Sequence, residues 1–187
     1  MPTLSTTLTN PTIPAAPEQS LSKLVPGPVD YYFVFDNGSA TFTDQTTEAN
    51  EDTANDVDLL PAAPVQSNDR HFVGSDTLFV GILYKVGTAG GGTYTGLFEY
   101  SNGVGFSTLT SYFGAIADLD NFKVAERVGL FLLPPSDFAP VTINGQLAYW
   151  IRYEVQAAGA GYTQPLADRI WLYPPVVGGQ IMRAQIF

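Results

Sequence analysis

Apolar and polar positions alternate along most of this chain with a period of two, the spacing at which strand side chains share one face of a sheet. Asp30-Tyr31-Tyr32-Phe33-Val34-Phe35 is aromatic and β-branched, and Asn37-Gly38 follows as a two-residue hairpin signal into Ala40-Thr41-Phe42-Thr43. Leu78, Val80, Ile82, Tyr84 and Val86 alternate with Phe79, Gly81, Leu83 and Lys85. Both sets are largely apolar, so this strand is expected to be covered on both faces. Tyr94 to Tyr100 and Phe106 to Tyr112 flank Asn102-Gly103 as a second hairpin. Val128 to Leu133 is an apolar run stopped by Pro134-Pro135. The cleanest alternation sets Leu147, Tyr149, Ile151, Tyr153 and Val155 against Ala148, Trp150, Arg152 and Glu154. Leu166 to Tyr173 and Gln180 to Phe187 complete the set, and only Phe113 to Leu119 reads as a turn of helix.

Eight or more short strands separated by turn signals predict an all-β protein, an antiparallel β-sandwich of jelly-roll-like form. The 18 Gly and 14 Pro break the chain too often for long helices. With 187 residues, one sandwich domain over 29–187 is expected.

Two segments depart from the strand pattern. Residues 1–28 carry Pro2, Pro11, Pro14, Pro17, Pro26 and Pro28 among Ser and Thr, with isolated Leu4, Leu8, Ile13, Leu21 and Leu24. Proline fixes φ and removes backbone donors, so this segment is expected to be an extended arm. It is either a disordered tail or a strap lying on another subunit, and the spaced apolar residues favour the strap. Residues 44–70 hold Asp44, Glu48, Glu51, Asp52, Asp56 and Asp58 among Thr, Asn and Ala. Like-charge repulsion and low hydrophobicity predict a solvated acidic loop there, with a cation site as the alternative.

Charge and composition narrow the chemistry. Eight basic and 18 acidic residues leave a net charge of −10, which opposes binding to nucleic-acid phosphate. There is no Cys, hence no disulfide, thiolate nucleophile or Cys-ligated zinc. Met1 to Ala16 lacks the features of a secretory signal, and no run of apolar residues is long enough to span a membrane. No nucleic-acid or membrane partner is therefore expected.

Catalytic motifs are not apparent. The one histidine, His71, within Asn68-Asp69-Arg70-His71-Phe72, reads as a surface or strand-edge residue, and no G-x-S-x-G elbow presents a serine. Any two of the 18 acids could form a glycosidase pair, so the sequence selects none. Gly90-Gly91-Gly92 has no following Lys-Ser/Thr and reads as a hairpin tip rather than a phosphate cradle. Asp118-Leu119-Asp120-Asn121 starts like a calcium loop but lacks its sixth-position Gly and twelfth-position Glu, so Asx-turn roles are expected instead. The expectation is no catalytic residue, no metal and no cofactor. Trp150, on the mixed face with Arg152 and Glu154, and Trp171, between Ile170 and Leu172, are expected in a core or a subunit interface, with sugar stacking as the alternative.

Four stretches carry a resemblance. Asp76-Thr77-Leu78-Phe79-Val80-Gly81 precedes Leu97-Phe98-Glu99-Tyr100-Ser101-Asn102-Gly103-Val104-Gly105-Phe106-Ser107-Thr108-Leu109. Val128-Gly129-Leu130-Phe131-Leu132-Leu133-Pro134-Pro135-Ser136-Asp137-Phe138 and Thr142-Ile143-Asn144-Gly145-Gln146-Leu147-Ala148-Tyr149-Trp150-Ile151-Arg152 follow. Their order resembles a β-sandwich module of tailed-bacteriophage structural proteins, with its "E-Y-x-N-G-x-x-W-x-x-L" hairpin, "P-x-D-W" turn and "N-G-x-x-x-Y-W-I-R" strand. Phe106 and Phe138 stand where the module usually has Trp, which keeps a large aromatic at both positions. The match spans about residues 76–155. The resemblance implies structural aromatics at Tyr100, Phe106, Phe138, Tyr149 and Trp150, and a non-enzymatic virion component. A capsid decoration (cement) protein is expected, homotrimeric, bound to the major capsid protein on the capsid surface, with Leu4, Leu8, Ile13, Leu21 and Leu24 as arm contacts. A tail or baseplate adaptor and a carbohydrate-binding jelly roll are the alternatives.

Overall fold

The computed structural model describes residues 25–114 and 122–175. In chain order its elements are β1 (Tyr31–Asp36), β2 (Thr41–Asp44), α1 (Thr46–Asn50), β3 (Val57–Asp58), β4 (Arg70–Ser75), β5 (Gly81–Thr88) and β6 (Thr95–Ser101). There follow β7 (Phe106–Thr108), β8 (Tyr112–Gly114), β9 (Arg127–Leu132), β10 (Val141–Ile143), β11 (Gln146–Ala157) and β12 (Leu166–Tyr173). One sheet runs β2-β1-β4-β11-β6-β7, with β10 also paired to β11, and the other runs β3-β12-β5-β9-β8. Neighbouring strands are antiparallel throughout, so the predicted antiparallel sandwich is the fold.

Period-two alternation builds the core. Tyr32 and Val34 of β1, Val73 of β4, and Ile151, Tyr153 and Val155 of β11 point inward from the larger sheet. They meet Ile82, Tyr84 and Val86 of β5, Leu130 of β9, and Ile170 and Leu172 of β12. Burying this many large side chains between two faces is the main stabilising term in a sandwich.

Several expectations need correction. The β1–β2 connection spans Asn37 to Ala40, and the residue in the left-handed region is Ala40 (φ 55°), not Gly38. Asp36 fixes this longer turn by accepting from the Gly38 N–H at 2.8 Å and the Ser39 hydroxyl at 2.9 Å. The predicted strand Phe106 to Tyr112 is two strands in different sheets: β7 pairs with β6, whereas β8 pairs with β9. Phe113 and Gly114 therefore belong to a strand and not to a helical turn. Gly90-Gly91-Gly92 lies between strands of opposite sheets, so it is a crossover rather than a hairpin tip. The acidic stretch is more structured than a solvated loop. Ala49, Val57, Leu59 and Leu60 anchor it in the core, and Asp58 accepts from Gln45 Nε2 at 3.0 Å and Gln164 Nε2 at 2.8 Å. Its short helix and strand arise because those apolar residues interrupt the acids at positions the core can take up. Residues 1–24, Gln180 to Phe187 and Asp118 to Asn121 lie outside the described residues, and with them the arm contacts and the calcium-like tetrad.

Candidate functional site

The structure places His71 on the core face of β4, fully buried. This overturns the surface reading, because His71 stands among inward positions between two paired neighbours, β1 and β11. Its Nδ1 lies 2.7 Å from the Leu59 carbonyl, which can only accept, so Nδ1 carries the proton. Nε2, at 3.1 Å, then accepts from the Tyr84 hydroxyl. The ring is stacked on Tyr153 (centroids 5.8 Å apart, 14° between planes) and also meets Tyr32, Tyr84 and Phe122. Burial pushes the imidazole down to about 4, and burial likewise pushes the Tyr84 hydroxyl far above its usual value. A neutral histidine with both nitrogens satisfied inside a closed core is a structural group.

The residues of the hairpin, turn and strand stretches quoted above form connected contacts. Tyr100, from the hairpin, donates its hydroxyl to Asp137 Oδ1 of the turn at 3.0 Å. The next turn residue, Phe138, packs edge-on against Tyr100 (6.0 Å), Tyr149 (5.4 Å) and Phe79 (5.8 Å). The Ala139 N–H then donates to the Ser101 carbonyl at 3.0 Å, fastening the turn to the end of β6. Across β11, Arg152 lies over the Phe106 ring at 4.2 Å, and Trp150 donates its indole N–H to the Val141 carbonyl at 2.9 Å. Hairpin, turn and strand thus hold one another, and the Phe at each Trp position keeps the contact.

The outer face of the larger sheet carries a buried layer beneath partly exposed side chains. Phe33, Phe72, Ala148 and Trp150 form a second buried cluster under Tyr31, Phe35, Phe106, Val141 and Ile143. Gly74 is required beneath it, since a Cβ there would enter the Trp150 ring. Beside the aromatics runs an ionic ladder. Arg70 Nε meets Glu154 Oε2 at 2.7 Å, Arg152 Nη2 meets the same oxygen at 3.0 Å, and Arg152 Nε meets Glu99 Oε2 at 2.6 Å.

The outer face of the five-stranded sheet is arranged differently. Strand register sets Arg169 (β12), Lys85 (β5) and Arg127 (β9) in one row, Trp171, Leu83 and Gly129 in the next, and Tyr173, Gly81 and Phe131 in a third. Phe131 and Tyr173 meet across Gly81 with ring centroids 5.1 Å apart, and a Cβ on Gly81 would lie 2.8 Å from Phe131 Cδ1. Trp171 is flanked by both arginines, with Arg127 and Arg169 carbons 5.7 and 5.2 Å from the ring. Leu83, Phe131, Trp171 and Tyr173 are only partly buried, so Trp171 is not in the core and β5 is not covered equally on its two faces. Lys85 is neutralised locally by Asp52 (2.8 Å) and Asp168 (3.3 Å). Lys85, then Arg169 and Arg127, hold the Asp52 carboxyl below its usual value.

Sequence reasoning did not assemble this basic and aromatic face, because its members come from strands far apart in the chain and only the β12-β5-β9 register aligns them. Among the described residues no cluster of His, Asp or Glu could hold a metal ion, and no helix is long and apolar enough to cross a membrane. Comparison with known proteins finds no matching family model, curated protein or solved structure. The class defined by fold and site is an antiparallel β-sandwich whose larger sheet pairs its outer arginines with glutamates and whose smaller sheet carries a partly exposed basic and aromatic face.

Proposed function

We propose that this chain is a non-enzymatic structural protein of a tailed-phage particle, specifically a capsid decoration (cement) protein that binds the outer shell. One observation carries the reading: the five-stranded sheet gathers the partly exposed Trp171, Phe131, Tyr173 and Leu83 on one face beside Arg127 and Arg169, which, unlike the arginines of the larger sheet, have no carboxylate partner among the described residues. Partly exposed aromatics gathered beside arginines are the composition of protein interfaces. The mutual contacts of the motif residues support the module resemblance, since they explain physically why Tyr100, Asp137, Phe138, Tyr149 and Trp150 would occur together.

The major capsid protein is the proposed partner, with a homotrimer as the assembly. The Pro-rich segment would run from the sandwich onto neighbouring subunits. It leaves from an edge of the five-stranded sheet, where Gly27 bridges Leu172 through paired backbone hydrogen bonds of 2.8 and 2.9 Å. Many weak copies on one shell would add through multivalency.

The test is peptide mass spectrometry on purified particles of the phage encoding the chain, after separation of heads from tails. High copy number in the head fraction is expected. Recovery with the tails would replace cement by a tail or baseplate adaptor, and absence from both fractions would overturn the particle assignment.

A further inference from the structure

We propose that the outer face of the five-stranded sheet docks an acidic polypeptide segment of a partner protein. Arg127 and Arg169 would take its carboxylates, while Leu83, Phe131 and Trp171 would receive interleaved apolar side chains. The proposal rests on reading this face as the docking surface, and it adds the chemistry of what docks.

Charge distribution argues first. In a chain of net charge −10, the arginines of the larger sheet are paired with Glu99 and Glu154. Arg127 and Arg169 have no carboxylate partner among the described residues, and both lie against Trp171. Stacking on an aromatic ring holds a guanidinium in place while leaving its in-plane donors free for a carboxylate. Among the described residues, Arg169 Nε is moreover buried without a hydrogen-bond partner, an arrangement that costs free energy unless an acceptor is supplied.

Asp52 shows what such an acceptor looks like. Its exposed carboxylate reaches over the basic row to Lys85 and lies within electrostatic reach of Arg169 and Arg127. It marks the place of an incoming carboxylate and competes with one for the same cations. A polypeptide fits the site better than a nucleic acid. Two arginines suit the two carboxylates of a short segment, whereas a phosphate backbone draws its affinity from many cations. The adjacent Leu83–Trp171 and Phe131–Tyr173 rows call for apolar residues between the acids, as in a strand or turn that alternates them.

The measurement is fluorescence anisotropy of a labelled peptide of Glu-Glu-Leu repeats against full-length protein at low salt, with the Gln-Gln-Leu peptide as control. The Glu peptide is expected to bind and the Gln peptide not. Arg127→Gln should weaken binding about threefold, the effect of removing one exposed charge pair. Asp52→Asn should tighten it about twofold, because a competing carboxylate is gone. Near-UV circular dichroism of the tryptophans establishes that both variants keep the parent fold. No binding of the Glu peptide, equal binding of the two peptides, or weaker binding by Asp52→Asn would each overturn the proposal. So would an oligomer of the parent that Arg127→Gln dissociates, since the face would then be occupied by a second copy. Head and tail fractionation reports on the particle assignment separately, so failure of one leaves the other distinguishable.

Discussion

His71 offers a direct test of how the core is assembled. The ring is fully buried, its Nδ1–H donates to the Leu59 carbonyl, and its Nε2 accepts from Tyr84, so the native state holds it neutral down to about pH 4 against 6.5 for a free imidazole. The unfolded chain takes up a proton below 6.5 and the native chain does not, so the stability contributed by neutral His71 is complete above 6.5. It is lost as pH falls toward the native value. The loss is about 1.4 kcal/mol per pH unit in that window, or about 2.5 kcal/mol between about pH 7.5 and about pH 4.5. Asp58 and Asp69, whose carboxyls burial raises, oppose this trend on acidification, so the raw curve of the parent is mixed. Comparison with His71→Gln removes them, because its amide supplies a donor and an acceptor but does not titrate. Urea unfolding of parent and variant at the two pH values should show the parent losing about 2.5 kcal/mol more. Since the chain has one histidine, its imidazole NMR signals also report the titration unambiguously. Parallel losses in the two proteins, or a ring titrating near 6.5, would refute the buried neutral assignment.

Other substitutions probe the two faces of β11 and its neighbours. Ile151→Asp places an unpaired carboxylate on the core face between Val73 and Tyr100 and should cost more than about 4 kcal/mol, read as loss of cooperative thermal melting. Gly74→Ala inserts a methyl into the Trp150 ring, which Phe33, Phe72 and Tyr31 prevent from retreating. About 1–3 kcal/mol should be lost, with a changed near-UV signal. Arg152→Met leaves Glu99 without its cation and weakens the hold on Glu154, for about 2–3 kcal/mol by chemical denaturation. Adding Glu99→Leu to it should recover most of that loss.

What the sequence disclosed follows the range of each signal. The β11 alternation was legible because neighbouring residues carry it: Tyr149, Ile151, Tyr153 and Val155 face the core, and Trp150 and Arg152 face outward. Leu147 belongs to the same alternation yet is 63% exposed, at the start of β11 where only β10 pairs with the strand. The Asn102-Gly103 turn was legible for the same local reason. Gly103 takes φ 86°, and Asn102 Oδ1 accepts from the Val104 and Gly105 N–H groups at 3.2 and 2.8 Å. His71 was misread because Arg70 and Asp69 beside it are polar, whereas its environment comes from Leu59, Tyr84 and Tyr153 on other segments. The basic row was invisible for an analogous reason: Arg169, Lys85 and Arg127 become neighbours only through sheet register.

The two outer faces make stability and recognition separable in this sandwich. On the larger sheet, Phe33, Phe72 and Trp150 are buried on the outer side and Arg70 and Arg152 each have an acid, so substitutions at these positions act on the fold. On the smaller sheet, Ile82, Tyr84, Leu130, Ile170 and Leu172 secure the strands from the core side alone. Arg127 stands exposed on the opposite side of β9, where its loss removes little buried contact. On that face Arg169 Nε is buried with no hydrogen-bond partner among the described residues, beside the partly exposed Trp171. The supported strands give that face the rigidity a recognition surface needs. Variants of Arg127 and Asp52 should therefore move binding in opposite directions while the melting temperature stays near that of the parent. A purely structural face could not produce that combination.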